Sequence, residues 1–181
     1  MSPLKVRVIT AHGQWKQNAK DQPHHYTDHR RTVTEFPDKI DILWVVDNSG
    51  SMAKHQDAIA DEVRGFLNKI QQTGLNFHLG VTTTDMSSRP DLECNPNAPN
   101  PARGRLVGPE RYLVRTSSNL YGKFSQAIRQ GQCGSNAERG LEAMETALTT
   151  SDNGDFLRPE AMLVVIFLTD EDDKEIGRAH V

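Results

Sequence analysis

Apolar and polar positions change rhythm along the chain, and each rhythm predicts an element. Ile40 to Val46 (Ile-Asp-Ile-Leu-Trp-Val-Val) is a nearly continuous β-branched and apolar run ending at Asp47, the pattern of a strand covered on both faces. From Met52 to about Thr73 the residues Ile59, Val63, Phe66, Leu67 and Ile70 recur at helical spacing, and Gly74 is placed to stop that helix. Phe77 to Thr84, with Phe77, Leu79 and Val81 alternating, reads as a second strand. Strand, short polar loop, helix, strand is a βαβ unit and favours a parallel sheet. A short strand is expected at Tyr112 to Arg115. Leu120, Phe124, Ala127 and Ile128 mark one amphipathic helix, and Leu141, Met144 and Leu148 mark another, with Gly134-Ser135-Asn136 at its entrance. Ala161 to Leu168 is a second fully buried strand, ending at Thr169-Asp170. There are no internal repeats.

Between these elements lie two polar stretches. Residues 1–38 hold partial alternation at Lys5 to Thr10, which predicts one short strand. The rest, with His24, His25 and His29, lacks the rigid spacing of a metal site and reads as a solvated arm. Residues 86–110 form an insertion too rich in proline for a helix or a central strand. It follows a strand end, so it is placed to border a site there and shape the choice of partner.

Composition narrows the function classes. The 181 residues are 36% hydrophobic and 25% charged, with a net charge of -3, and no basic block or aromatic–basic stripe points to nucleic acid. No stretch reaches the length of a transmembrane helix, and Met1 to Thr10 lacks the apolar core of a signal peptide. Cys94 and Cys133 lack zinc-site spacing. A disulfide between them, implying an oxidising compartment, and two unrelated buried thiols are equally open readings.

Two strands thus finish in carboxylates, Asp47 and Asp170, and in an open α/β sheet ligands bind beyond the strand C-termini. Asp47-Asn48-Ser49-Gly50-Ser51 sets a carboxylate and two hydroxyls on a tight loop, with Gly50 expected to allow a sharp turn. Hard oxygen donors suit Mg²⁺, Mn²⁺ or Ca²⁺. The plainer alternative is that Ser49 or Ser51 caps the following helix.

The stretch Asp47-Asn-Ser-Gly-Ser-Met52 resembles the first segment of the metal-ion-dependent adhesion site of von Willebrand factor A (vWA) domains. Gly134-Ser135-Asn136-Ala137-Glu138-Arg139-Gly140 looks like the second segment, with Ser135 standing where the family has Thr, and Phe167-Leu-Thr-Asp170 is similar to the third. The three occur in the family's order over roughly residues 39–173. Gly80-Val-Thr-Thr-Thr-Asp85 and Asp170-Glu-Asp-Asp173 bring the likeness closer to bacterial vWA proteins, which are typically exported to the periplasm, cell surface or medium. The resemblance implies an α/β, Rossmann-like vWA fold, with a mainly parallel central sheet flanked by helices and incomplete at the C-terminus. It also implies direct coordination of Mg²⁺ (or Mn²⁺ or Ca²⁺) by Ser49, Ser51 and Ser135, with Asp47 and Asp170 acting directly or through water. An open position would accept an acidic side chain of a protein ligand, and no catalysis is implied. Glu171, Asp172 and Asp173 read as a solvated acidic loop rather than a second, Ca²⁺-like site.

The expected organisation is a polar segment 1–38, a partial vWA domain 39–174 and a non-native tail 175–181. The tail, Glu175-Ile-Gly-Arg-Ala-His-Val181, matches the translation of a common sequencing adapter. With later strands missing, Ala161 to Leu168 is expected as an apolar edge prone to aggregation. Two other functions compete. A Mg²⁺-dependent phosphoryl-transfer enzyme would use Asp47 as nucleophile, but Ser49 stands where that chemistry wants a second Asp. A metal-free structural domain is the other, and it rests on Ser135 in place of Thr.

Overall fold

The computed structural model describes the backbone of residues 5–11, and residues 38–91, 94–95 and 100–170, apart from a few side chains in the first helix. The histidines at 24, 25 and 29, the acidic run 171–173 and the tail 175–181 lie outside the described residues. The strands are β1 (Lys5–Ala11), β2 (Lys39–Val46), β3 (Asn76–Thr83), β4 (Leu113–Val114) and β5 (Met162–Thr169), and the helices are α1 (Ala53–Gln72), α2 (Leu120–Ile128) and α3 (Gly140–Thr149). They form one five-stranded sheet in the order β1-β5-β2-β3-β4. β2 runs parallel to both β3 and β5, whereas β1 and β4 are antiparallel to their neighbours. The fold is α/β, and the parallel arrangement expected from the βαβ pattern is confined to the three inner strands.

β2 from Ile42 to Val46 and β5 from Met162 to Leu168 are apolar, and both faces are covered. Ile42, Trp44 and Val46 of β2 pack with Ile166 and Leu168 of β5 against α1 and α2, while Leu43 and Val45 pack with Leu163, Val165 and Phe167 against Ala143 and Ala147 of α3. Each such side chain withdrawn from water contributes about 1.5–3 kcal/mol. On the first face Trp44 meets Phe66 and Phe124 edge-on, at centroid distances of 5.3 and 5.4 Å, the arrangement that ring quadrupoles favour. α1 ends as its sequence foretells: Thr73 donates both N–H and hydroxyl to Ile70 O, and Gly74 follows at φ +78°, a conformation that glycine adopts without steric cost.

The expectation that Ala161 to Leu168 forms a bare edge is overturned. β1 pairs with β5 along its whole length, from Lys5 opposite Thr169 to Ala11 opposite Leu163, so the backbone groups of β5 are satisfied on both sides. The second half of the insertion is also more than a polar loop. Val107 N–H donates to Val81 O at 2.8 Å, beside β3. Buried Asn153 accepts from Leu106 N–H at 2.9 Å and donates to Gly104 O at 2.9 Å and Ala147 O at 2.8 Å, tying the insertion to the end of α3.

At the start of the parallel strands lies an ionic clamp. Asp41, 0% exposed within apolar β2, accepts from Arg158 Nε–H at 2.8 Å and from the Arg158 backbone N–H at 2.6 Å. The same guanidinium donates to Ile40 O, Asn76 O and Asn76 Oδ1, so β2, β3 and the approach to β5 meet on one side chain. A planar fork of donors suits this better than a lysine ammonium would.

Candidate metal centre

Asp47 continues the ladder one residue beyond β2, its N–H donating to Leu168 O at 2.9 Å. That places its carboxylate at the C-terminal ends of β2 and β5, where it is fully buried. One carboxylate oxygen, Oδ1, accepts from Ser49 N–H at 2.8 Å, and Oδ2 accepts from the Thr169 hydroxyl at 2.9 Å. These bonds hold the loop in a tight turn. Ser49 Oγ lies 3.2 Å from Ser51 Oγ, and Ser51 in turn donates to Asp170 Oδ1 at 3.0 Å. Asp47, Ser49, Ser51 and Asp170 therefore form one connected group, with Ser51 exposed and the other three buried.

Helix capping does not account for the serines. The N-cap position of α1 is Met52, after a 3-10 turn at Gly50–Met52, and no side chain caps it. The hydroxyls bond to each other and to Asp170 instead. Nor does the turn demand a glycine at 50. Gly50 is not among the residues at positive φ, and a Cβ there would meet only Gln132 O, at 3.7 Å.

The glycine that close approach does require is Gly134. Its N–H donates to Asn48 O at 2.8 Å, and a Cβ on it would fall 2.3 Å from Asn48 Oδ1. The loop it opens is held at the far end by Arg139 N–H donating to Thr84 O at 3.2 Å. Ser135 thus sits at the same end of the sheet, half-buried, but its hydroxyl accepts from Ala137 N–H at 3.1 Å and is not bonded to the other four residues. The structure gathers Asp47, Ser49, Ser51 and Asp170, and leaves Ser135 on the neighbouring loop.

The donors in the group are carboxylate and hydroxyl oxygens, a set that suits a hard divalent cation. Among the described residues there is no cluster of three or more His, Cys, Asp or Glu side chains, so a cation here would depend on the serine hydroxyls for its donor count.

Several residues at this end lie in segments the sequence singles out, yet the sequence gives them no role of their own. Thr169 bonds Asp47 directly. Asp85, 5% exposed, follows β3 much as Asp47 follows β2, and Glu138 is buried at the entrance to α3. The recurrence of an Asp just past a strand is the signal that could have singled out Asp85. Cys94 and Cys133 form a disulfide, closing the alternative left open by sequence. Cys133 adjoins Gly134, so the bridge ties the insertion to the loop carrying Ser135. No family model, curated protein or solved structure matches this chain.

Proposed function

We propose that the chain is a vWA-type binding module that holds a divalent cation, Mg²⁺, Mn²⁺ or Ca²⁺, and through it a protein partner. The observation that carries this reading is the connected group Asp47–Ser49–Ser51–Asp170 at the ends of two adjacent parallel strands. The resemblance of the three sequence segments to an adhesion site supports it. A cation held there supplies the positive charge that attracts a carboxylate of the partner. The chain's own residues do the positioning. Asp47 is fixed by Ser49 N–H and Thr169, and Ser51 is exposed to an incoming group. Ser135 joins the donor set if its loop moves toward Ser51, a shift that exchanges its bond to Ala137 N–H for one to the cation. The disulfide supports a module that works in an oxidising, exported setting.

Calorimetric titration of Mg²⁺ and Mn²⁺ into the purified chain tests the reading. Saturable binding is expected, weakened at least tenfold in Asp47→Asn, which keeps one oxygen acceptor but removes the charge. A folded protein that shows no saturable binding overturns it and favours a metal-free structural role.

A further inference from the structure

The motif Thr83-Thr84-Asp85 at the end of β3 takes no part in the metal group, yet it ends in a second buried carboxylate. Asp85 is 5% exposed. Its Oδ1 accepts from Ser87 N–H at 2.9 Å, and its carbonyl accepts from the backbone N–H of Arg103. No Lys, Arg or His side chain among the described residues pairs with it. Arg89, close by, is exposed and makes no ion pair with it. A buried carboxylate with a single hydrogen bond is under-compensated, because its lost hydration is only partly replaced.

The carboxylate is not sealed in. Asp85 lines two cavities, one of about 660 Å³ and one of about 700 Å³, which share Asp85, Pro90 and Cys133. The first reaches Asn48 of the candidate metal loop and is walled by the disulfide. Among the described residues its remaining polar lining is amide and hydroxyl, chiefly Asn95, Asn100, Gln130 and Gln132 with Thr83, with no cationic side chain. Carboxamides both donate and accept, so they can pair with the N–H and C=O groups of an extended peptide. A cavity of this size falls within the range of ligand sites.

We propose that Asp85 is the anchor of a subsite for a basic side chain, Arg or Lys, of the protein partner. The ammonium or guanidinium supplies the missing counter-charge, and the amide lining takes the adjoining peptide backbone. Rested on the reading that this end of the sheet binds a protein, the partner carries an acidic residue for the metal loop and a basic residue for Asp85. Its segment is bipolar rather than simply acidic.

The test uses N-acetyl-arginine amide as probe and its neutral isostere N-acetyl-citrulline amide as control, added to the ¹⁵N-labelled full chain with and without Mg²⁺. Saturable shifts are expected at Asp85, Ser87, Asn95 and Gln132, with the citrulline compound binding about tenfold more weakly. In Asp85→Asn, which keeps the acceptor for Ser87 N–H, the two compounds should bind alike. Equal binding of both compounds to the wild type, or arginine shifts confined to other surfaces, overturns the subsite. That comparison needs no variant, so it stands even if Asp85→Asn fails to fold. A Mg²⁺ response at residues 47–51 and 170 is read in the same spectra. Its absence beside a positive arginine result would sink the metal reading and leave the subsite in place.

Discussion

Replacing Arg158 with methionine removes the guanidinium while keeping most of the apolar stem, and so isolates the clamp on Asp41. The substitution deletes the bond from Nε to Asp41 Oδ1 at 2.8 Å and the contact from Nη2 at 2.7 Å. It also deletes the bonds to Ile40 O, Asn76 O and Asn76 Oδ1. Asp41 stays buried, with the backbone N–H of residue 158 still donating to Oδ2 and His78 Nδ1 next nearest, at 3.8 Å from Oδ1. Breaking a buried ion pair by removing one partner costs about 3–5 kcal/mol. The surviving N–H puts the expected loss at the lower end, about 3 kcal/mol. Urea unfolding followed by circular dichroism measures it. With a slope of about 2–3 kcal/mol per M for a chain of this size, the midpoint falls by roughly 1–1.5 M. Adding Asp41→Asn to Arg158→Met should recover part of the loss, because the uncompensated charge is then gone, and the cycle should show coupling of about 1–3 kcal/mol. Six residue steps of strand, about 20 Å, separate Asp41 from Asp47, so Mg²⁺ affinity of the folded variant should match the wild type. A loss under about 0.5 kcal/mol, or strict additivity, would refute the clamp.

Two further predictions concern Gly134 and Glu110. Gly134→Ala should displace the Asn48 side chain, whose three outer atoms lie within 2.3–2.6 Å of the new Cβ; Mg²⁺ binding by calorimetry should weaken roughly tenfold, as for other residues that position ligands, and unchanged affinity would remove the Ser135 loop from the site. Glu110 has its carboxyl held below the ordinary carboxylate range, first by its hydrogen bond to Lys123 and, against the smaller opposing effect of desolvation, by the Ser117 hydroxyl and the Lys123 charge. A depressed folded-state value stabilises above the unfolded value and is lost as pH falls through the folded one, so Glu110→Gln should lower the melting temperature at pH 7 and match the wild type at acid pH, where a difference independent of pH would exclude the linkage.

How much of the site could be read in advance depended on how local the information was. The buried strands β2 and β5, the helix α1 and its stop at Gly74 are encoded by neighbours a few residues apart, through periodicity and turn chemistry. The two aspartates at strand ends followed from the same pattern, and so did the direction of the inner strands. The pairing of β1 with β5 did not. Two strands at opposite ends of the chain meet only when the sheet assembles, and that pairing turned an expected edge into an inner strand. Nothing local accounts for Asp41 within its apolar run, because its partner Arg158 is 117 residues away. Of the two glycines near the Asp47–Ser51 loop, sequence favoured Gly50. Only the packing of one loop on another shows that a Cβ at Gly134 would displace the Asn48 side chain. The disulfide and the buried setting of Asp85 belong to the same class. Local sequence determines which segments become strands and helices, since that choice costs or gains energy within a few residues. The folded sheet decides which distant side chains share a buried charge, a close approach or a cavity, since those free energies exist only once the segments are packed together.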